Sequence, residues 1–198
     1  ADDVVRPGPP DALYHFASET IAAVNPGPML GPVSNGQATD IINILYADNV
    51  EFTHPLNDHP LAAIAEDGSS ITVSDLTPLD EMDNPIRVGD LIALSNAKGS
   101  TLQYVTEVSD QTITFGTGDP MNLNQPSAPA GSITQISNGD GTFPATTATR
   151  VYLITYYLDF NEDPETPRLI RRINNDPGRT VALILENMQL SYDLVDGD

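Results

Sequence analysis

Cysteine is absent from this 198-residue sequence, so disulfide bonds, thiol catalysis and cysteine metal sites are all excluded. Tryptophan is also absent, and aromatic residues make up only 6% of the chain. The longest apolar run is well short of the roughly 18 residues that a membrane-spanning helix needs, and no signal peptide is recognisable. Because the sequence opens abruptly with Ala1-Asp2-Asp3, we interpret it as a mature or trimmed form.

Basic residues are scarce. The chain has 8 Lys and Arg against 28 Asp and Glu, for a formal net charge of -20, and Lys98 is its one lysine. A surface of this sign repels nucleic acid phosphates and anionic lipids, so we expect no nucleic acid partner. The main effect that we expect from the charge is solubility.

Proline and glycine are abundant, with 17 and 14 residues, which indicates many turns and few long helices. A chain of this length suits one domain and can bury a core without a metal or a disulfide. We predict an α+β, mostly β fold of antiparallel sheets with one short N-terminal helix. Residues 1–35 would form an extended arm and that helix, and residues 36–198 a β-rich head.

The helix is predicted over residues 11–24. This segment follows a proline and an aspartate, which is a typical helix start. Leu13, Phe16 and Ile21 fall on one helical face. The Asn-Pro-Gly-Pro run at 25–28 would end the helix.

Short strands are predicted in the rest of the chain, where apolar and β-branched runs are bounded by turn residues. They cover residues 41–46 (with 50–54 as a continuation), 71–76, 86–95, 101–108, 112–115, 131–137, 151–160, 168–173 and 181–194. The strands 101–108 and 112–115 are expected to pair as a hairpin. Residues 151–160 are apolar on both faces, which is typical of a central strand that is buried on both sides. The last strand should begin buried and end as a half-buried edge.

Catalytic motifs are missing from the sequence. Its histidines are His15, His54 and His59, and it has no GxSxG, HExxH or phosphate-binding glycine loop. Acidic residues are so numerous that no pair stands out as a glycosidase pair. We therefore predict a protein that is not an enzyme and has no catalytic residue.

The two histidines of one proline-flanked loop are candidate metal ligands. His54 and His59 are five residues apart and could grip a metal together with Asp58. A solvated, proline-rich loop is the favoured interpretation.

Calcium is the one cofactor that the sequence leaves open. Residues 159–163 offer oxygen ligands at alternate positions, like the start of an EF-hand loop. The sixth position is Pro164 instead of glycine and the twelfth is Ile170 instead of glutamate, so the match fails. The oxygen-rich segments at 138–141 and 196–198 are better explained as ordinary turns than as calcium-binding loops. We predict no metal ligand.

Four arginines, Arg168, Arg171, Arg172 and Arg179, supply half of all basic residues. Arginine side chains bind carboxylates through two parallel hydrogen bonds. Two interpretations stay open: internal pairing with neighbouring acids, or contact with an acidic partner subunit.

The last fifty residues resemble a known family. ATTATRVYLITYYLDFNEDPETPRLIRRINN at 145–175, followed by VALILENMQLSYDL at 181–194, is similar to the C-terminal half of PilW-type minor pilins. In that family a strand ending in Tyr-x-Leu, a polar turn, a Leu-x-Arg-like strand and a Tyr-Asp segment follow in order. Tyr157-Leu158, Leu169-Ile170-Arg171 and Tyr192-Asp193 occupy those places here. Residues 36–46, 88–94, 105–108 and 118–124 extend the likeness over about residues 36–194.

The resemblance implies a minor pilin or pseudopilin, a structural subunit for the assembly or tip of a type IV pilus or a type II secretion pseudopilus. Its partners would be other pilin or pseudopilin subunits, with one sheet face packed on them. Its place would be the bacterial periplasm, anchored in the inner membrane, and then the extracellular filament. Family members begin with a long apolar helix that this sequence does not contain, so membrane attachment would come only through that missing helix.

Two other functions stay open. One is a stand-alone extracellular β-domain for adhesion or carbohydrate binding, which an aromatic-lined groove would favour. The other is a hydrolase with a carboxylate pair, which a cleft holding two buried acids of raised pKa would favour.

Overall fold

A computed structural model describes residues 5–8, 14–15, 21–47, 61, 63–73, 85–125, 132–160 and 166–191. The strands in these residues are β1 Val5–Arg6, β2 Tyr14–His15, β3 Val24–Gly27, β4 Val33–Ser34, β5 Gln37–Ala38, β6 Ile41–Ala47, β7 Ala63–Ile64, β8 Ser70–Thr72, β9 Leu91–Asn96, β10 Gly99–Tyr104, β11 Glu107–Ser109, β12 Thr112–Thr114, β13 Thr147–Asp159, β14 Arg168–Ile173 and β15 Arg179–Leu183. A 3₁₀ helix spans Ile133–Ile136. No helix in this described part of the chain is long and apolar enough to cross a membrane.

Every pairing between the described strands is antiparallel, which confirms the prediction of a mostly β fold with antiparallel sheets. A large sheet of seven strands contains β3, β6, β9, β10, β13, β14 and β15. A small sheet of four strands has the order β11-β12-β8-β7. Strand β3 comes from the first 35 residues and joins the large sheet by pairing with β6.

Strand β13 is the centre of the large sheet and pairs with three other strands. Val151 is the cross-strand partner of both Leu91 in β9 and Ala47 in β6. At Ile154, β13 pairs with both β6 and β14. Because a residue has one direct partner on each edge, β9 and β14 lie one after the other along one edge of β13. Strand β6 lies along the other edge.

Asn174 fills the gap between β9 and β14. Its backbone N–H donates to the carbonyl of Leu153 at 2.8 Å, and its side-chain Oδ1 accepts from the N–H of Leu153 at 3.0 Å. Its Nδ2 donates to the carbonyl of Gly89, just before β9, at 3.3 Å. A left-handed backbone, with φ of 48°, allows these contacts, and asparagine tolerates that conformation. This buried residue therefore continues the hydrogen bonding of β13 where neither neighbouring strand reaches.

The main core lies between the β9–β10 end of the large sheet and the small sheet. Its buried members are Ile71, Val73, Ile86, Ile92, Leu94, Val105, Ile113, Phe115, Ile133, Ile136 and Ala148. Ile92 and Leu94 alternate along β9, and Ala148 of β13 pairs with Leu94 on the same face. This end of the sheet face is therefore covered.

A second core lies on the opposite face of the large sheet, under the loop of residues 119–125. It contains Leu91, Tyr104, Met121, Leu123, Val151 and Leu153. The buried Asp119 carboxylate holds the loop by accepting backbone hydrogen bonds from Met121, Leu123 and Asn124 at 2.9–3.1 Å. The loop backbone is therefore fixed over the apolar residues that it covers.

The short helix predicted over residues 11–24 is wrong where the structure describes this segment. Tyr14–His15 is strand β2, paired with Val5–Arg6, and the chain enters strand β3 at Val24. Backbone pairing along β1 and β6 satisfies the polar groups of these residues, and such tertiary contacts override a weak helical preference.

The strand predicted over residues 131–137 is also wrong, because Ile133–Ile136 is a 3₁₀ helix. The side chain of Ser132 accepts from the backbone N–H of Thr134 and so caps the first turn. Ile133 and Ile136 are three residues apart and both buried, which matches the three-residue repeat of this helix.

The hairpin predicted from 101–108 and 112–115 forms only in part. Strands β11 and β12 pair around a left-handed Asp110, but residues 99–104 are a separate strand that pairs with β9. The chain passes between the sheets at Val105 and Thr106, whose N–H groups bond to Asp90 and Thr114. Similarly, the strand predicted over 86–95 begins only at Leu91, after a turn.

The strand predicted over residues 181–194 ends early. Strand β15 stops at Leu183, and residues 184–191 contain no strand. Its expected buried beginning is wrong, since Val181, Leu183 and Ile184 are 47%, 61% and 70% exposed. The reason is their place at the outer edge of the large sheet, beyond β14.

Other strand predictions are confirmed. Residues 41–46 lie in β6 and residues 168–173 form β14, and the strand predicted over 151–160 lies in the central strand β13 as far as Asp159. Burial of β13 on both faces is correct only in part, because Tyr152, Ile154 and Tyr156 are half-buried. Residues 50–54 and 74–76 lie outside the described residues.

Candidate functional site: an apolar face of the large sheet

Apolar side chains are arranged in rows on one face of the large sheet, because direct cross-strand partners point to the same side. Tyr46 pairs with Tyr152, and the next row contains Val24, Ile44, Ile154 and Ile173. The third row is Pro26, Ile42, Tyr156, Arg171 and Arg179. We call the surface formed by these three rows the open face. It runs across five strands, from β3 to β15.

The open face reaches solvent. Val24 is 53% exposed and Tyr46 is 45% exposed, and the isoleucines between them are half-buried. Among the described elements, β3, β6, β14 and β15 have extensive contacts only with neighbouring strands of their own sheet. The exposed surface ends at the next residue of β13 on this face, Leu158, which is fully buried. Large apolar surfaces of this kind often mark interaction sites.

Arg150 stands at the boundary between the open face and the main core. Its guanidinium lies 5.3 Å from the ring centre of Tyr152, whose ring is 5.4 Å from that of Tyr46. Arg150 also lies 3.7 Å from the Asp90 carboxylate. Burial raises the pKa of Asp90, against the opposing effects of the N–H of Arg87 and the charge of Arg150. The buried guanidinium of Arg150 therefore packs against the Tyr152 ring of the tyrosine pair.

The opposite face of the same strands is covered, and one polar row lies there between buried apolar residues such as Ile41 and Leu153. Asn25, Asn43 and Thr155 form a row with Arg172 and are buried, and the Asn43 Nδ2 donates to the Thr155 hydroxyl at 2.6 Å. Residues 5–8 cover this row, since the Pro7 carbonyl accepts from Asn43 and the Gly8 carbonyl from Arg172. A sheet with one solvated face normally shows polar residues to water. Here the polar row is buried and the apolar rows are half-exposed.

The structure divides the four arginines of the C-terminal cluster into two kinds. Arg168 pairs with Asp159 at 2.8 Å, and Arg172 donates to carbonyls of Asn175 and Asp176. Arg171 and Arg179 are direct cross-strand partners, and neither has an ion pair or a side-chain hydrogen bond to the residues that the structure describes. Among the described residues, pairing with a neighbouring acid therefore accounts for Arg168, while Arg172 is bonded to carbonyl oxygens and Arg171 and Arg179 have neither kind of partner.

Most of the candidate metal ligands lie outside the residues that the structure describes. His54, Asp58, His59 and residues 161–165 and 196–198 are not among the described residues. Asp159 is engaged by Arg168, and the Asp140 carboxylate accepts from the N–H and hydroxyl of Thr142 within its turn. The described ranges hold no group of three His, Asp or Glu side chains suited to a metal.

A hollow at the edge of the small sheet has a volume of about 250 Å³. Leu61, Ile64 and Phe143 line it, together with other residues that carry no titratable side chain. It is smaller than most ligand pockets and offers no acid or base. We assign it no function.

The alternation of apolar residues that forms the open face is visible in the sequence, although the predicted strands alone did not locate this surface. Ile42 and Ile44 alternate along β6, and Tyr152, Ile154 and Tyr156 alternate along β13, beside other apolar residues that fill the opposite face. Only the register between the strands joins these residues into one surface. No protein-family model, curated protein or solved structure matches the chain.

Proposed function

We propose that this chain is a non-catalytic structural subunit that docks on a partner protein through the open face. The observation that carries this proposal is the open face itself, whose apolar rows stay half-exposed on a sheet that buries even a polar row on its covered face. Burial of apolar surface contributes about 25 cal/mol per Å². A partner that covers the open face would bury these half-exposed apolar residues, and this burial would stabilise the complex.

The kind of subunit that we propose is a minor pilin or pseudopilin, which the sequence resembles. The segments that carry this resemblance supply β13, β14 and β15, which are three of the five strands under the open face. The partner would then be another pilin or pseudopilin subunit, in an extracellular filament assembled from the bacterial inner membrane. No cofactor is part of this proposal.

The proposal is tested by placing a charge on the open face of the native full-length protein. Tyr46→Lys is the test variant, and Val88→Lys is the matched control because Val88 is 63% exposed and lies in the turn before β9, outside the three rows of the open face. Both are compared with the wild type in the surface filaments sheared from the source bacterium. We expect the wild type and Val88→Lys in the filament fraction, and loss of Tyr46→Lys at an unchanged cellular level. A filament fraction that lacks the wild-type protein would contradict the proposal.

Adhesion through carbohydrate binding is a second candidate, favoured by a tyrosine pair of which Tyr46 is exposed and Tyr152 half-buried. Tyr46 and Tyr152 have ring centres 5.4 Å apart and a tilt of 36°, and exposed aromatic rings are the usual stacking platform for sugars. This function predicts that the purified chain binds immobilised glycans and that Tyr46→Ala abolishes the binding. Failure to bind on a broad glycan array would remove this candidate.

A further inference from the structure

Two arginines at the end of the open face oppose each other across neighbouring strands. Arg171 in β14 and Arg179 in β15 are direct cross-strand partners. Like charges at such positions repel each other and destabilise the sheet. The chain carries 28 acidic residues, yet no described carboxylate pairs with either arginine. Within the part of the chain that the structure describes, this repulsion is therefore uncompensated.

The position of the pair connects it to the open face. Arg171 is the cross-strand partner of Tyr156 in β13, so its side chain continues the row that begins with Pro26 and Ile42. A partner that covers the apolar part of this row meets two guanidinium groups at its end. Guanidinium groups bind carboxylates with short, charge-assisted hydrogen bonds, which are strongest away from water.

We infer that Arg171 and Arg179 together receive an Asp or Glu carboxylate of the protein that docks on the open face. This inference rests on the proposed function and specifies the chemistry of the partner, whose surface would be apolar with an acidic group at one end. A carboxylate between the two arginines offsets their repulsion. Docking would therefore form an ion pair and also remove an unfavourable like-charge contact between β14 and β15. Nucleic acid and anionic lipid are disfavoured as occupants by the net charge of -20.

The variant Arg179→Glu separates this role from a structural one. It places opposite charges across β14 and β15, which should stabilise the isolated chain and raise its Tm by about 1–3 °C. The same change removes the site for a partner carboxylate, and we expect the filament-associated protein to fall by a factor of about 10 or more. Lys98→Glu, an equal charge reversal in the β9–β10 turn, adds the same net negative charge and should neither raise the Tm nor lower the filament-associated amount. Arg179→Lys should keep most of the association.

The outcomes distinguish this inference from the proposed function. If Tyr46→Lys is lost from filaments and Arg179→Glu is retained, the carboxylate site is wrong and the open face stands. A lower Tm for Arg179→Glu would show that Arg179 stabilises the fold, and would also overturn the inference. Arg179-dependent dimerisation of the purified chain, or Arg179-dependent binding to phosphatidylserine vesicles, would assign the pair to another occupant.

Discussion

At the scale of single residues, Asn174 completes the hydrogen bonding of the large sheet between β9 and β14. Asn174→Ala removes the side-chain bonds to Leu153 and Gly89 and leaves a buried N–H unpaired. We expect a loss of about 2–3 kcal/mol in the free energy of unfolding, measured by urea denaturation. Asn35→Ala is the matched control, since Asn35 is exposed and has a similar left-handed φ of 50°. Equal losses in both variants would show that the backbone conformation, and not the hydrogen bonds, is responsible.

Asp90 gives the stability a pH dependence of known sign. Burial raises its pKa in the folded chain above the usual value of 3.8, so the folded state binds the proton more tightly than the unfolded state. The resulting stabilisation is complete below about pH 3.8 and is lost as the pH rises through the raised pKa. Asp90→Asn lacks this titration, so its stability relative to the wild type should increase from about pH 4 towards neutrality. Denaturant unfolding at several pH values measures the difference, and a flat or opposite trend would contradict the assignment.

At the scale of elements, Asp40 ties the segment after β15 to the backbone on either side of the hairpin β4–β5. Its Oδ1 accepts from the N–H of Met29, and its Oδ2 accepts from the N–H of Leu190, each at 2.7 Å. Asp40→Ala should therefore release residues 184–191, and hydrogen exchange at Leu190 should become at least tenfold faster. Asp67→Ala is the control, because Asp67 bonds only within its own exposed turn. Unchanged exchange at Leu190 would show that other contacts hold the segment.

The elements also show how far sequence reasoning reaches. Strands β6, β13 and β14 could be predicted because β-branched residues recur along six or more positions, joined by tyrosines in β6 and β13. The short strands β1, β2 and β3 could not, because their pairing partners rather than their own residues determine their structure. The arginine cluster was visible in the sequence, but only the register separates Arg171 and Arg179 from the arginines that pair internally.

At the scale of the whole molecule, the net charge of -20 opposes the compact state through self-repulsion. Salt screens this repulsion, since the Debye length falls from about 30 Å at 0.01 M to about 3 Å at 1 M. We therefore expect Tm to rise by several degrees between 10 mM and 500 mM sodium chloride. A scanning calorimetry series in sodium chloride measures this change. A Tm that falls with salt would mean that attractive ion pairs dominate the stability.

The central claim is that the open face is an interface with another protein. It is tested most directly by a photoreactive phenylalanine analogue placed at Tyr46 in the native protein of living cells. The same analogue at Val88, an exposed residue in a turn, is the control. The account predicts that position 46 crosslinks to a filament subunit, identified by mass spectrometry, and that position 88 does not. Equal or absent crosslinking at the two positions would contradict it.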